Sequence, residues 1–159
     1  MKNLRYFVLL ALLGLGAFSC KEDTADEGEL VFLTSMEDQV LVLVNEHRAT
    51  LGLTALEDNS VVKNQARIHS RNMADGSVSF GHNGFEARVE VITGSVEGVQ
   101  GAGENVALGP TTAAEAVETW LKSDGHRANI EGDYTLSGIG IVEDDASNLL
   151  FTHIFIKLN

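Results

Sequence analysis

Residues Met36, Val40, Leu43, Val44 and His47 recur at steps of three and four, which predicts a helix from Thr34 to about Thr50. Thr34 and Glu37 stand in the spacing of a capping box at its start, and Gly52 is its stop signal. Asp58, Asn59 and Ser60 offer N-caps for a second helix. Its buried stripe is Val62, Ala66, His69 and Met73, and Gly76 ends it. Residues 77–80 are short and β-like. Residues 94–103 hold four glycines and predict a loop, with a strand leaving it from Glu104 to Leu108. Pro110, Thr111 and Thr112 precede a third helix, where Thr112 and Glu115 repeat the capping-box spacing. Ala113, Ala116, Val117, Trp120 and Leu121 form its inner face, and residues 124–130 follow as a single turn or short helix. A strand over 137–142, a turn at 143–147 and a strand over 148–158 complete the pattern.

That last strand sets the fold class. Leu149, Phe151 and Phe155 lie on one of its faces, and Leu150, Ile154 and Ile156 on the other. A strand apolar on both faces is covered on both. Helices on either side of a hairpin predict an α+β protein, a three-layer α-β-α sandwich around a small, mostly antiparallel sheet. Neither an internal repeat nor a second domain is visible, so residues 34–159 read as one domain.

The first twenty residues follow another rule. Lys2 and Arg5 precede an apolar run over 7–18, and Ser19-Cys20 closes it. A basic start and about a dozen apolar residues predict an export signal, too short for a comfortable membrane span. The segment resembles a bacterial lipoprotein signal, in which Cys20 is lipidated and becomes the new N-terminus; the other reading is a plain signal peptide with an incidental cysteine. The expectation is an exported protein, lipid-anchored to the outer membrane and exposed at the cell surface. Residues 21–33 form an acidic tether. Its opening Lys-Glu-Asp resembles a surface-export tag, and a simple acidic spacer reads equally well.

Charge then narrows the partners. The whole chain of 159 residues carries 11 basic and 23 acidic residues, a net of −12. Without the first twenty, 9 basic face 23 acidic, a net of −14. Such a surface repels phosphate backbones and excludes nucleic acid as the expected partner. With a single cysteine, Cys20, there is no internal disulfide and no thiol nucleophile. The sequence holds no Gly-x-Ser-x-Gly, His-Glu-x-x-His, Walker or Cys-x-x-Cys motif. What remains is Gly81-His82-Asn83, Gly103-Glu104-Asn105 and Gly125-His126-Arg127. Two imidazoles and a carboxylate suit either a divalent cation (Zn or Mg) or general acid–base work. Spacing alone does not bring them together.

Four blocks in order carry a resemblance: Leu43-Val44-Asn45-Glu46-His47-Arg48, Phe80-Gly81-His82, Gly103-Glu104-Asn105-Val106-Ala107, and the run from Trp120 through Gly125-His126-Arg127-Ala128-Asn129-Ile130. The chain resembles the CAP superfamily of cysteine-rich secretory, antigen 5 and pathogenesis-related proteins, in its short bacterial branch, the SCP-like extracellular domain. The resemblance implies an α-β-α sandwich with a cleft of two histidines and two acids that binds a divalent cation in some members. It maps His82 to the first histidine and Glu104 to one acid. Ser123 stands where the second acid would be and Leu150 where the second histidine would be; His126, from the bacterial Gly-His-Arg motif, is the expected cleft partner. His82, Glu104 and His126 are therefore the expected cleft and metal residues, with no catalytic residue assigned.

Other polar residues carry structural expectations. His47 and His69 read as hydrogen-bonded core histidines. His153 belongs to either core or cleft. Asn45 and Arg48 tie the first helix to its neighbours, Arg127 and Asn129 brace a turn, and Asp144 and Asp145 make a hairpin turn. Residues 94–103 are expected to form a mobile rim over Glu104. Two functions stand side by side. One is a non-catalytic, membrane-anchored module for an extracellular lipid, glycan or protein. The other is a metal-assisted hydrolase of peptide or cell-wall material.

Overall fold

The computed structural model describes residues 33–159. Residues 1–32, with Cys20 and nearly all of the acidic tether, lie outside the described residues. The order is α1 (Thr34–Thr50), β1 (Glu57–Asp58), α2 (Ser60–Ala74), α3 (Phe85–Thr93), β2 (Val99–Leu108), α4 (Ala113–Lys122), α5 (Asp124–Ile130), β3 (Leu136–Glu143) and β4 (Leu149–Leu158). The sheet order is β1-β3-β4-β2, with β4 antiparallel to both β2 and β3 and the two-residue β1 parallel to β3.

The two apolar faces of β4 are both covered. Phe151 and Phe155 join Ile139, Ile141 and Ala107 under α1 and α4, packed on Val40, Val44, Val117 and Trp120. Ile154 and Ile156 pack on the other face with Val62, Ala66 and Ile92 of α2 and α3. Each buried Val, Ile or Phe among them contributes roughly 1.5–3 kcal/mol by leaving water. The three-layer expectation therefore holds, with α1, α4 and α5 on one side and α2 and α3 on the other.

Two glycines let the second layer approach. A Cβ at Gly138 would lie 2.1 Å from the Lys63 amide nitrogen, and one at Gly140 2.3 Å from that of Arg67. The backbone of α2 thus rests directly on β3. The outer edges of the sheet are closed by side chains. Glu37 accepts from the Ile141 amide at 3.1 Å on the β3 edge. On the β2 edge, the Trp120 indole donates to the Val106 carbonyl at 3.1 Å and Asn129 to that of Glu104 at 3.1 Å.

Several local expectations change. Glu37 does not cap α1; it is buried and bonded to Arg67, and no side chain caps that helix. Asn59 does cap α2, and Thr112 caps α4 while Glu115 reaches back to Thr111. Residues 77–80 form no strand. The helix α3 was not expected, because its nine residues lie between glycine-rich stretches and carry few clear signals. Residues 99–103 are strand, not loop: Gly101 and Gly103 pair with Lys157 and Phe155 across a bulge near Val99. The expected rim is displaced as well, since Gly98 meets Asn159 at the end of β2 opposite Leu108.

Candidate functional site

A pocket of about 350 Å³ opens at the outer edge of β2, lined by Phe80, Gly81, His82, Val106, Ala107, Leu108, Thr119 and His126. It straddles the layers. Phe80 to His82 belong to the loop between α2 and α3, while Thr119 and His126 come from α4 and α5. Phe80 and Leu108 are half-exposed, so much of the rim is apolar.

Behind His82 lies a buried carboxylate. Alternation along β2 puts Glu104, paired with Ile154, on the α2–α3 face. The guanidinium of Arg88 holds it: Nη2 donates at 2.8 Å and 2.7 Å to the two oxygens, and Nε at 3.0 Å to Oε2. His82 Nδ1 lies 2.9 Å from Oε1. The Glu104 side chain is 1% exposed and that of His82 51%, so the pair connects the interior to solvent.

The loop that presents His82 is fastened from below. His69 donates from Nε2 to the Gly81 carbonyl at 2.7 Å, and Arg88 donates to the Asn83 carbonyl at 2.8 Å. Gly81 and Gly84 supply the positive φ angles, 139° and 76°, that its turns require. His69 also stands 3.9 Å from Glu104 Oε1. Burial is the main reason its pKa is lowered, so it sits neutral beneath the loop.

The other wall has its own fastening. Asn105 donates to the His126 carbonyl at 2.9 Å, and Asn129 donates to the Asn105 side-chain oxygen at 2.9 Å. These bonds fix α5 against β2 and so place His126 at the pocket. Gly103 makes room: a Cβ there would lie 2.7 Å from both Asn129 Oδ1 and the Tyr134 hydroxyl. Burial, then the neighbouring His82, lowers the His126 pKa.

Of the three expected site residues, His82 and Glu104 are directly bonded, and His126 faces the same pocket from the opposite layer. Glu104 is not among the lining residues; it is connected to the pocket by its bond to His82. Ser123 is the N-cap of α5, and Leu150 packs with Met73 and Val106. His153 belongs to the core, completely buried between Trp120 and Phe155, and burial pushes its pKa down to about 3. His47 is not a core residue; it pairs with Glu131 at 2.9 Å, partly exposed. His69 is the hydrogen-bonded histidine expected, yet it also serves the site.

Two kinds of participant left little trace in the sequence. Arg88 is the larger omission; with Phe85, Val89 and Ile92 it shares one side of α3, so a lone cation on an apolar stripe was the available signal. Thr119 and the exposed Leu108 carried none, and Phe80 stood out only as the neighbour of Gly81-His82 in the resemblance. A divalent cation meets a poor donor set in this arrangement. Both oxygens of Glu104 already bind a guanidinium, which sets a positive charge where a cation would need to approach. Among the described residues, no three His, Cys, Asp or Glu side chains are grouped as a ligand set.

Comparison with known proteins identifies the family and the fold. The sequence signature of the CAP family, the cysteine-rich secretory protein family, matches residues 41–156. Two proteins of Bacillus subtilis are similar. The uncharacterized protein YkwD is 32% identical over 127 residues, 78% of this chain and 48% of that protein. The uncharacterized membrane protein YlbC is 35% identical over 138 residues, 84% of this chain and 38% of that protein. The chain thus spans less than half the length of these relatives. Among solved structures, an outer surface protein from Borrelia burgdorferi aligns with TM-score 0.69 and 19% identity, over 82% of this chain and 99% of that one. At that identity the likeness is one of fold. An extracellular protein containing a SCP domain from Bacillus anthracis aligns with TM-score 0.63 and 28% identity, over 78% of this chain and 41% of that one.

Proposed function

The chain belongs to the CAP family, the cysteine-rich secretory proteins, and on that premise we propose that its domain is a non-catalytic binding module for an uncharged amphiphile. The observation that carries this reading is the pocket at the β2 edge. Phe80, Val106, Ala107 and Leu108 supply apolar walls, and His82, His126 and Thr119 supply polar atoms. A mostly apolar cleft with a few placed polar groups is the usual form of a small-ligand site. The charge of −12 disfavours anionic head groups, and the lowered pKa of His126 leaves no cation on that wall to attract one.

Export and anchoring belong to the same proposal. The basic and apolar start of the chain, ending in Cys20, supports a lipid anchor in the outer membrane, with the acidic stretch as tether. Metabolic labelling with a fatty-acid analogue tests this; wild type takes up label, Cys20→Ser does not, and equal labelling refutes it.

The metal-assisted hydrolase of peptide or cell-wall material is the second reading. Its support is a pair of imidazoles on one pocket. The Arg88–Glu104 pair weighs against it, because it removes the carboxylate from the donor set. The binding reading is tested with octyl glucoside below its micellar concentration, followed by amide chemical shifts. Saturable shifts confined to residues 80–82, 106–108, 119 and 126, lost in Leu108→Asp, are expected. Shifts spread over the surface, or none, would overturn it.

A further inference from the structure

We propose that His82 selects a hydrogen-bond donor on the ligand through its Nε2 atom, and that Arg88, acting through Glu104, fixes this role without a divalent cation. The inference rests on the binding reading for the identity of the pocket, but its own content is the state of one imidazole.

The buried pair determines that state. Arg88 is 8% exposed and delivers three hydrogen bonds to Glu104. A guanidinium bonded to both oxygens holds a carboxylate in its ionised, acceptor-only form. The partner of His82 Nδ1 at 2.9 Å is therefore an acceptor, so Nδ1 carries the proton. In the neutral ring the other nitrogen, Nε2, is then a lone pair. His82 is half-exposed and lines the pocket, so that lone pair is what the ligand can use. The wall opposite is His126, held neutral by burial. The complementary ligand group is a hydroxyl or amide N–H joined to an apolar body, and a bare carboxylate or phosphate is a poor fit.

Arg88 is a positioning residue here. It also donates to the Asn83 carbonyl, so one side chain fixes both the loop and the proton on the imidazole that the loop presents. A cation bound through Glu104 would have to displace three short bonds to a buried guanidinium, and breaking a buried pair is strongly unfavourable.

The test is made on the whole chain labelled with ¹⁵N. Long-range ¹H–¹⁵N correlations, recorded where His82 is neutral, report which ring nitrogen carries the proton, and no ligand is needed. The expectation is a roughly tenfold excess of the Nδ1–H form in wild type. A predominance of Nε2–H would overturn the proposal. Titration with Zn²⁺ and Mg²⁺, read on the same resonances, is expected to give no saturable shift of His82 below about 1 mM, and Arg88→Met to raise the Zn²⁺ affinity at least about tenfold by freeing Glu104. Saturation of wild type at micromolar Zn²⁺ with movement of His82 would also overturn it. The wild-type measurements decide the matter even if Arg88→Met does not fold. Failure of octyl glucoside to bind, with the Nδ1–H form intact, would sink the binding reading alone.

Discussion

Two buried carboxylates, Glu37 and Glu104, are built alike and differ in their last partner. Each has a side chain no more than 1% exposed, and each is held by an arginine from a helix of the α2–α3 layer, Arg67 or Arg88. At Glu37 the remaining capacity goes to the backbone amide of Ile141, which closes the sheet edge. At Glu104 it goes to the half-exposed imidazole of His82. The first arrangement spends its carboxylate on closing the sheet edge. The second ends at a pocket. A paired, buried charge is therefore no mark of function by itself; what matters is whether its electrostatic influence reaches a group that a ligand can touch.

Both centres depend on α2, which carries Arg67 and His69, and this gives the largest expected effect. Gly138→Ala would drive a methyl group into the Lys63 backbone, which cannot swing aside, and should cost at least about 3 kcal/mol by denaturant unfolding. A near-neutral result would show that α2 does not rest on β3 as described. Glu37→Gln should cost about 2 kcal/mol, since the shape is kept while the ion pair is lost. His82 resonances should not move in this variant; if they do, the two centres are coupled and the contrast between them fails.

His153 offers a buried ionisable group with no partner for either ring nitrogen among the described residues. Its folded pKa of about 3 lies below the unfolded value of roughly 6.5. Between these values the unfolded chain binds a proton that the folded one rejects, so stability falls as the pH falls, by about 1.4 kcal/mol per unit. His153→Leu should remove that part of the slope between about pH 6.5 and 5, leaving the same-direction effects of His69 and His126. An unchanged slope would place its imidazole in water. Gly103→Ala should cost about 1–2 kcal/mol and shift His126 through Asn129, without disturbing the Glu37 centre. The smallest effect belongs to His47→Ala, less than about 0.5 kcal/mol, because its pair with Glu131 is partly exposed.

The same contrast explains what the sequence revealed. The two apolar faces of β4 implied helices on both sides, and the spacing in α1, α2 and α4 reported their inner faces, because burial imposes a period. His82, Glu104 and His126 each stood directly after a glycine and were visible as candidates. Arg88 was hidden because a buried ion pair has no periodic signature; only Glu104, sixteen residues away, explains its burial. Glu37 looked like a cap for the same reason, as its true partners are Arg67 and Ile141, far along the chain. Gly101 and Gly103 suggested a loop because glycine marks both turns and close approaches, and at Gly103 only the position of Asn129 and Tyr134 distinguishes them.

The most direct test of the contrast is to measure octyl glucoside affinity side by side for wild type, Glu104→Gln and Glu37→Gln, at a temperature where all three are folded. Glu104→Gln should bind at least about tenfold more weakly, since an uncharged amide no longer holds the proton on His82 Nδ1, while Glu37→Gln stays within about twofold of wild type. Equal losses in the two variants, or full affinity in Glu104→Gln, would contradict the account.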